Sequence, residues 1–175
     1  METKNKKCWF AAYTTPRSEK KVYERLKSEG VVVYLPIHKT LRKWSDRKKW
    51  VEVPLLPSYI FVKITEREQH AVLNTAGLIR FVKFEGKPAP IPEEQINTIK
   101  LLLGQKLDIE LLEENLKPGD KVEIILGSML GFKGELIKHK GKNKALIKID
   151  HISHGLLVTL PKGFITKSLD GDSVT

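Results

Sequence analysis

The chain is nearly without cysteine: Cys8 is the single thiol among 175 residues. One thiol cannot close an internal disulfide, and Cys8 sits in the strand-like run Cys8-Trp-Phe-Ala-Ala-Tyr13, where it acts as a small inert apolar group. Long apolar runs are also missing, since none approaches the roughly 18 residues of a helical membrane span. The charged start, Met1 to Lys7, is not followed by an Ala-x-Ala cleavage pattern. A cytoplasmic protein with no membrane partner is therefore expected. Catalytic signatures are lacking too: there is no Gly-x-x-x-x-Gly-Lys-Ser/Thr loop, no Gly-x-Ser-x-Gly elbow and no Cys-x-x-Cys. His151 and His154 have His-x-x-His spacing but no cysteine near them, which fits solvated residues better than ligands. No metal, cofactor or enzymatic activity is expected.

What the chain has in excess is positive charge, with 31 Lys and Arg against 21 Asp and Glu for a net of +10. The excess is uneven. Residues 1–104 hold 20 basic against 11 acidic residues, whereas residues 105–175 hold 11 against 10. A field of this kind attracts polyanions, with nucleic acid the first candidate and simple solubility the competing reading.

The pattern along the chain predicts two domains of an α+β protein. Cys8 to Thr14 is a strand, followed by a helix capped by Thr15 with Pro16 at its first position and ended by Gly30. The β-branched run Val31 to Leu35 predicts a central strand. Leu41 to Trp50 carries five positive charges against one and predicts an exposed basic hairpin around Ser45-Asp46, flanked by Trp44 and Trp50. Pro54-Leu-Leu-Pro-Ser58 leads into a strand, Tyr59 to Ile64, and a short helix follows from Glu66 to Asn74. A further strand runs from Leu78 to Phe84, in which Phe81 and Phe84 cannot share a face. A proline-rich loop then precedes a helix with Ile96, Ile99 and Leu103 on one side. Residues 105–116 are expected to be an acidic linker. Glycine-paced aliphatic stretches predict a small β-barrel over 117–168, with a frayed tail at 169–175.

Trp9, Phe10 and Tyr13 cannot all face one side of their strand. Either both faces are covered or one is presented to a partner, and Trp9 fits a core position as well as a surface one. Together with Leu56, Tyr59 and Phe81 these rings are candidates for a lysine-rimmed apolar patch of the kind that marks protein interfaces.

The order Trp9-Phe10, a first helix, Pro54-Leu-Leu-Pro-Ser-Tyr-Ile-Phe-Val62, Phe81, Pro90-Ile-Pro92, Gly119-Asp-Lys-Val and then Gly127 through Gly134 resembles the NusG family of transcription elongation factors, over about residues 7 to 168. The resemblance implies an NGN-type α/β sandwich over 1–104 and an SH3-like KOW β-barrel over 117–168. It implies a monomer that docks on the clamp helices of the largest RNA polymerase subunit through Trp9, Phe10, Tyr13, Leu56, Pro57, Tyr59 and Phe81, with His70 facing the opposite pincer. It further implies contacts of Lys20, Lys21 and Arg25 with non-template DNA, although a solvated helix face would carry the same charges. The hairpin residues Arg42, Lys43, Trp44, Arg47, Lys48 and Lys49 are candidates for upstream DNA or nascent RNA. Met129, Phe132, Ile152 and His154 match barrel positions that dock on the ribosomal protein also known as NusE or, in general members, on Rho; Phe132 fits a core position equally.

Departures from the family pattern are informative. Leu56 stands where an aromatic is common, Ser58 where glycine is frequent, and Ser128-Met129 where a proline-aromatic pair is usual. Ala71 and Val72 are less polar than a pincer-facing loop requires. The basic hairpin and Tyr34-Leu-Pro36 look most like the specialised UpxY and RfaH type of antiterminator, which acts on long operons such as surface polysaccharide loci. A general NusG-like factor and a ribosome-associated KOW protein that binds RNA are the alternatives.

Overall fold

The computed structural model describes residues 5–44, 46–104, 108–113, 121–124, 133–139, 142–152, 154–159 and 165–167. Two units divide the chain, Met1–Ile96 and Asn97–Thr175.

The first unit is organised by β1, Cys8–Thr14, whose bounds are those the sequence predicts. It pairs antiparallel with β5 (Tyr59–Ile64), β6 (Leu78–Phe81) and β9 (Pro90–Ile91), while β2 (Val32–Tyr34) pairs with β5 on its other side. Period-two alternation puts Phe10 and Ala12 of β1 with Ile60, Val62 and Ile64 of β5. These residues form one core with Val22 and Leu26 from helix α1, Glu19–Ser28. β2 was expected to be central but lies at the edge of the sheet, because three residues cannot reach past β5 and Val32 remains exposed.

α1 starts three residues later than its proline signal suggests. Pro16 and Arg17 form a turn in which Arg17 adopts φ 64°, outside the helical region. The Ser18 amide donates to the Thr15 carbonyl at 3.0 Å and Ser18 becomes the cap position. The stretch expected as one strand from Leu78 to Phe84 is divided: after β6, β7 (Lys83–Phe84) turns back on β8 (Lys87–Pro88). Glu85 and Gly86 at positive φ supply the tight two-residue turn. Phe81 is buried and Phe84 is 58% exposed, so one of the two rings does point outward. A 3-10 turn, Glu66–Glu68, leads into α2, Gln69–Leu73. Helix α3 spans Glu93–Gly104 and buries Ile96, Ile99 and Leu102.

Gly77 shows how tightly the α2–β6 turn is packed. Its φ is +95°, and a β-carbon there would stand 2.9 Å from Val22 Cγ2. Gly77→Ala combines backbone strain with overpacking and is expected to cost about 1–3 kcal/mol. Gly30 has φ +77° but open space around it, so Gly30→Ala carries the strain alone. Urea denaturation should place the Gly77 variant's midpoint below that of the Gly30 variant.

In the second unit the described strands form one six-stranded antiparallel sheet in the order β10-β14-β13-β12-β11-β15. The strands are β10 (Asp108–Glu113), β11 (Lys121–Ile124), β12 (Lys133–His139), β13 (Lys142–Lys148), β14 (His154–Thr159) and β15 (Ile165–Lys167). Leu146, Ile147, Leu156, Leu157 and Val158 are buried in it. Asp108–Glu113 falls in the stretch expected as an acidic linker, yet it pairs residue for residue with β14, from Asp108 opposite Thr159 to Glu113 opposite His154. The alternation Asp108, Ile109, Glu110, Leu111 is a strand pattern that net negative charge and the following Leu-Glu obscure.

Candidate protein and nucleic-acid interfaces

One end of the first sheet gathers several of the sequence candidates. Register sets Tyr13 opposite Tyr59 on β5 and opposite Arg80 on β6. The Tyr59 hydroxyl donates to that of Tyr13 at 2.9 Å, with ring centroids 4.6 Å apart. The Arg80 guanidinium lies 5.0 Å from the Tyr13 ring, a cation–π contact worth about 0.5–1 kcal/mol at an exposed site. Tyr13 is half-buried, Arg80 and Pro57 are exposed, and Ile79 beside them is exposed as well. The result is a ledge with an aromatic floor and a cationic edge.

Ser58 holds the ledge in place. Its φ of 62° is the conformation that glycine adopts without penalty, which accounts physically for a glycine preference at this position. Two hydrogen bonds fix the serine there: its amide donates to Glu19 Oε1 at 2.8 Å, and its carbonyl accepts from the Thr14 amide at 2.9 Å. Glu19 is itself buried at the start of α1.

Most of the expected contact residues lie in the interior, Tyr59 as the covered floor of the ledge and Trp9 in the core position its strand also allows. Trp9, Phe10, Leu56, Tyr59 and Phe81 are all buried. Phe10 and Phe81 meet edge-on with centroids 6.1 Å apart inside the core. Trp9 lies under the Lys63 ammonium at 5.9 Å, and Lys63 is paired with Glu93 at 2.7 Å. The exposed apolar patch expected from these five side chains is therefore absent from the surface. The physical reason is that β1 is paired along both edges and Trp9 to Ala12 are buried, so its aromatics satisfy packing first. His70 is exposed on α2, downstream of a turn that Glu68 stabilises by accepting from the Thr65 amide at 2.7 Å and hydroxyl at 2.9 Å. Those bonds, the backbone one foremost, hold the Glu68 carboxyl below its usual range.

The α1 candidates Lys20, Lys21 and Arg25 are all exposed, and two of them also tether the helix. The Arg25 guanidinium donates to the Ala76 carbonyl and ties α1 to the turn before β6. Lys20 Nζ reaches the Glu52 carbonyl at 3.3 Å. Both residues are expected DNA contacts, and each bonds the protein's own backbone while its side chain stays exposed. Lys21 is exposed.

The hairpin is as the charge run suggests. β3 (Ile37–Lys43) and β4 (Lys48–Pro54) form a separate two-stranded ribbon, closed by the Trp44 amide donating to the Arg47 carbonyl at 2.8 Å. Arg42 stands opposite Lys49 and Lys43 opposite Lys48. Like charges directly opposite each other destabilise a ribbon, and Lys43 with Lys48 is such a pair. The Arg47 guanidinium covers the Trp44 ring at 5.6 Å. Burial holds His38 below the usual imidazole range.

On the second unit, Ile152 is 5% exposed and His154 half-buried at the start of β14. Ile152 is thus a packing residue where a docking residue was expected. Met129 and Phe132 lie outside the described residues.

Sequence reasoning missed Arg80 and Glu19. Nothing local marks either one: Arg80 matters because the β1–β6 register brings it over Tyr13, and Glu19 because Ser58 needs an acceptor.

A family model described as "Transcription termination factor nusG" matches residues 7–100, which include the ledge, α1 and the basic ribbon. The transcription termination/antitermination protein NusG of Streptococcus pyogenes serotype M1 is 30% identical over 146 residues, 75% of this chain and 80% of that protein. The chain belongs to the NusG family. The NusG of Rickettsia bellii is 24% identical over 159 residues, 83% of this chain and 81% of its own length. A solved structure of Thermotoga maritima NusG, described as showing domain interaction, matches with a TM-score of 0.58 at 23% identity, over 93% of this chain and 97% of that one; that likeness supports the NusG fold. The chain is accordingly a NusG-like transcription termination/antitermination factor. No helix among the described residues is long and apolar enough to cross a membrane.

Proposed function

We propose that this NusG-family chain is a processive antitermination factor that binds RNA polymerase through its N-terminal unit, at the clamp helices of the largest subunit. The observation that carries the proposal is the ledge of Tyr13, Tyr59 and Arg80, an aromatic floor with a cationic edge at one end of a rigid sheet. A helix pair with an apolar stripe and acidic flanks is the natural complement of such a surface. The factor acts by holding the elongating polymerase and its nucleic acids, without covalent chemistry. Lys21 and the ribbon cations face non-template DNA or nascent RNA, and strands β11 to β15 belong to a KOW-type barrel that docks on a second partner, the ribosomal protein NusE or Rho.

Within the family the proposal favours the specialised UpxY/RfaH type, recruited to a few long operons such as surface polysaccharide loci. The basic ribbon with its opposed like charges supports that reading. Identity to the NusG of Streptococcus pyogenes supports a general factor. Chromatin immunoprecipitation of the tagged chain separates them: signal confined to one or two operons is expected, and signal on all transcribed genes assigns the general role instead.

A further inference from the structure

The ribbon carries more apolar surface than phosphate binding requires. Trp50 is 66% exposed, Trp44 49% and Leu41 46%, three of the most exposed large apolar side chains among the described residues. Exposed tryptophan on a two-stranded ribbon contributes nothing to a core, and water contact with so much apolar surface is unfavourable. Register shows how the groups are arranged. Leu41 is directly opposite Trp50, and the next pair on that face toward the turn is Lys43 opposite Lys48. Pairs on the other face alternate with these, with Arg42 opposite Lys49 at register and Trp44 beside Arg47 at the closing turn. Each face thus has one indole set against two or more cations. Lys43, Lys48 and Lys49 are exposed. The salt bridges of the described ribbon residues are Lys39 with Glu52 at 3.8 Å and Arg47 with Asp46 at 3.9 Å, and neither reaches those three lysines.

We infer that the ribbon is a single-strand grip, in which Trp50 stacks on an unpaired base while Lys43 and Lys48 hold the flanking phosphates, with Trp44 and Arg47 offering the same chemistry at the tip. This inference rests on the nucleic-acid role proposed above and names its ligand class as a single-stranded polynucleotide. Duplex DNA offers phosphates but no free base face, so it meets the lysines and leaves Trp50 in water. An unpaired strand meets both, since every base has a π-face that an indole accepts irrespective of sequence. A protein partner would require acidic side chains around an apolar pocket, and it would not distinguish a planar ring from an aliphatic chain of similar size at position 50.

The test uses the intact chain and fluorescein-labelled 15-mers as single-stranded DNA, single-stranded RNA and blunt duplex, read by anisotropy at 150 mM salt. At least one single strand is expected to bind about tenfold tighter than duplex, with a log-log salt slope near −3 for about four phosphates. Trp50→Ala should lose on the order of tenfold on the single strand and change duplex binding little; Trp50→Phe should recover most of the loss and Trp50→Leu should not. A preference for RNA or for DNA identifies which strand is held, and either supports the grip. Duplex binding equal to single-strand binding overturns it, as does Trp50→Leu performing like the native residue. Capture of RNA polymerase by the native chain keeps the two proposals separate, because a native chain that binds polymerase yet shows no strand selectivity overturns the grip alone.

Discussion

Leu56→Ala is expected to destabilise the N-terminal unit by about 2–5 kcal/mol, the range for emptying a buried leucine site, and to lower its thermal midpoint by about 8 °C or more. Leu56 is 0% exposed and follows a backbone anchor in which the Leu55 amide donates to the Pro36 carbonyl at 2.7 Å. Loss of polymerase binding in such a variant reports unfolding before it reports a lost contact. Calorimetry settles which applies: an unchanged midpoint would show that the side chain is not packed as described. Tyr59 is buried alongside its hydrogen bond to Tyr13 and calls for the same care.

The cleaner probe of the interface is the ledge itself. Arg80→Glu reverses an exposed charge, and Tyr13→Ala removes a half-buried ring. Aromatic and arginine anchors at interface centres commonly exceed about 2 kcal/mol on truncation, which is about thirtyfold in affinity. The double variant should therefore lose RNA polymerase capture while retaining a far-ultraviolet spectrum like the native one. Tyr13→Phe, which removes only the hydroxyl that accepts from Tyr59, should bind within a few-fold of the native chain. Equal affinity for the double variant and the native chain in a pull-down titrated with core polymerase would move the contact away from this end of the sheet.

The legible parts of this fold are those where local pattern and tertiary environment demand the same thing. β1 and β5 have apolar runs of strand length bounded by turn residues, and both are found where expected. The ribbon is visible because Ser45-Asp46 sits between two basic strands that no core could take in. Local pattern misleads where the deciding force is long-range. Pro16 signals a helix start, but Arg17 at positive φ delays it; Asp108–Glu113 looks like a linker until β14 supplies its partner. The site follows the same rule. Aromatic density in β1 suggests a binding surface, yet the sheet claims Trp9, Phe10 and Phe81 for packing and leaves Tyr13 at the margin. Arg25 and Lys20 are exposed cations as the sequence suggests, and the folded backbone adds the carbonyls of Ala76 and Glu52 that they also engage. Arg80 has no sequence signature at all, because its role is a consequence of register.

The central claim is that this NusG-family chain acts on the elongating polymerase through the ledge of Tyr13 and Arg80. Single-round elongation by purified RNA polymerase on a long template, with and without the intact chain, tests it most directly. The account predicts a larger fraction of full-length transcript with the native chain and no gain with the Tyr13→Ala, Arg80→Glu variant. The same full-length fraction with no chain, native chain and variant, or an equal gain from native chain and variant, would contradict it.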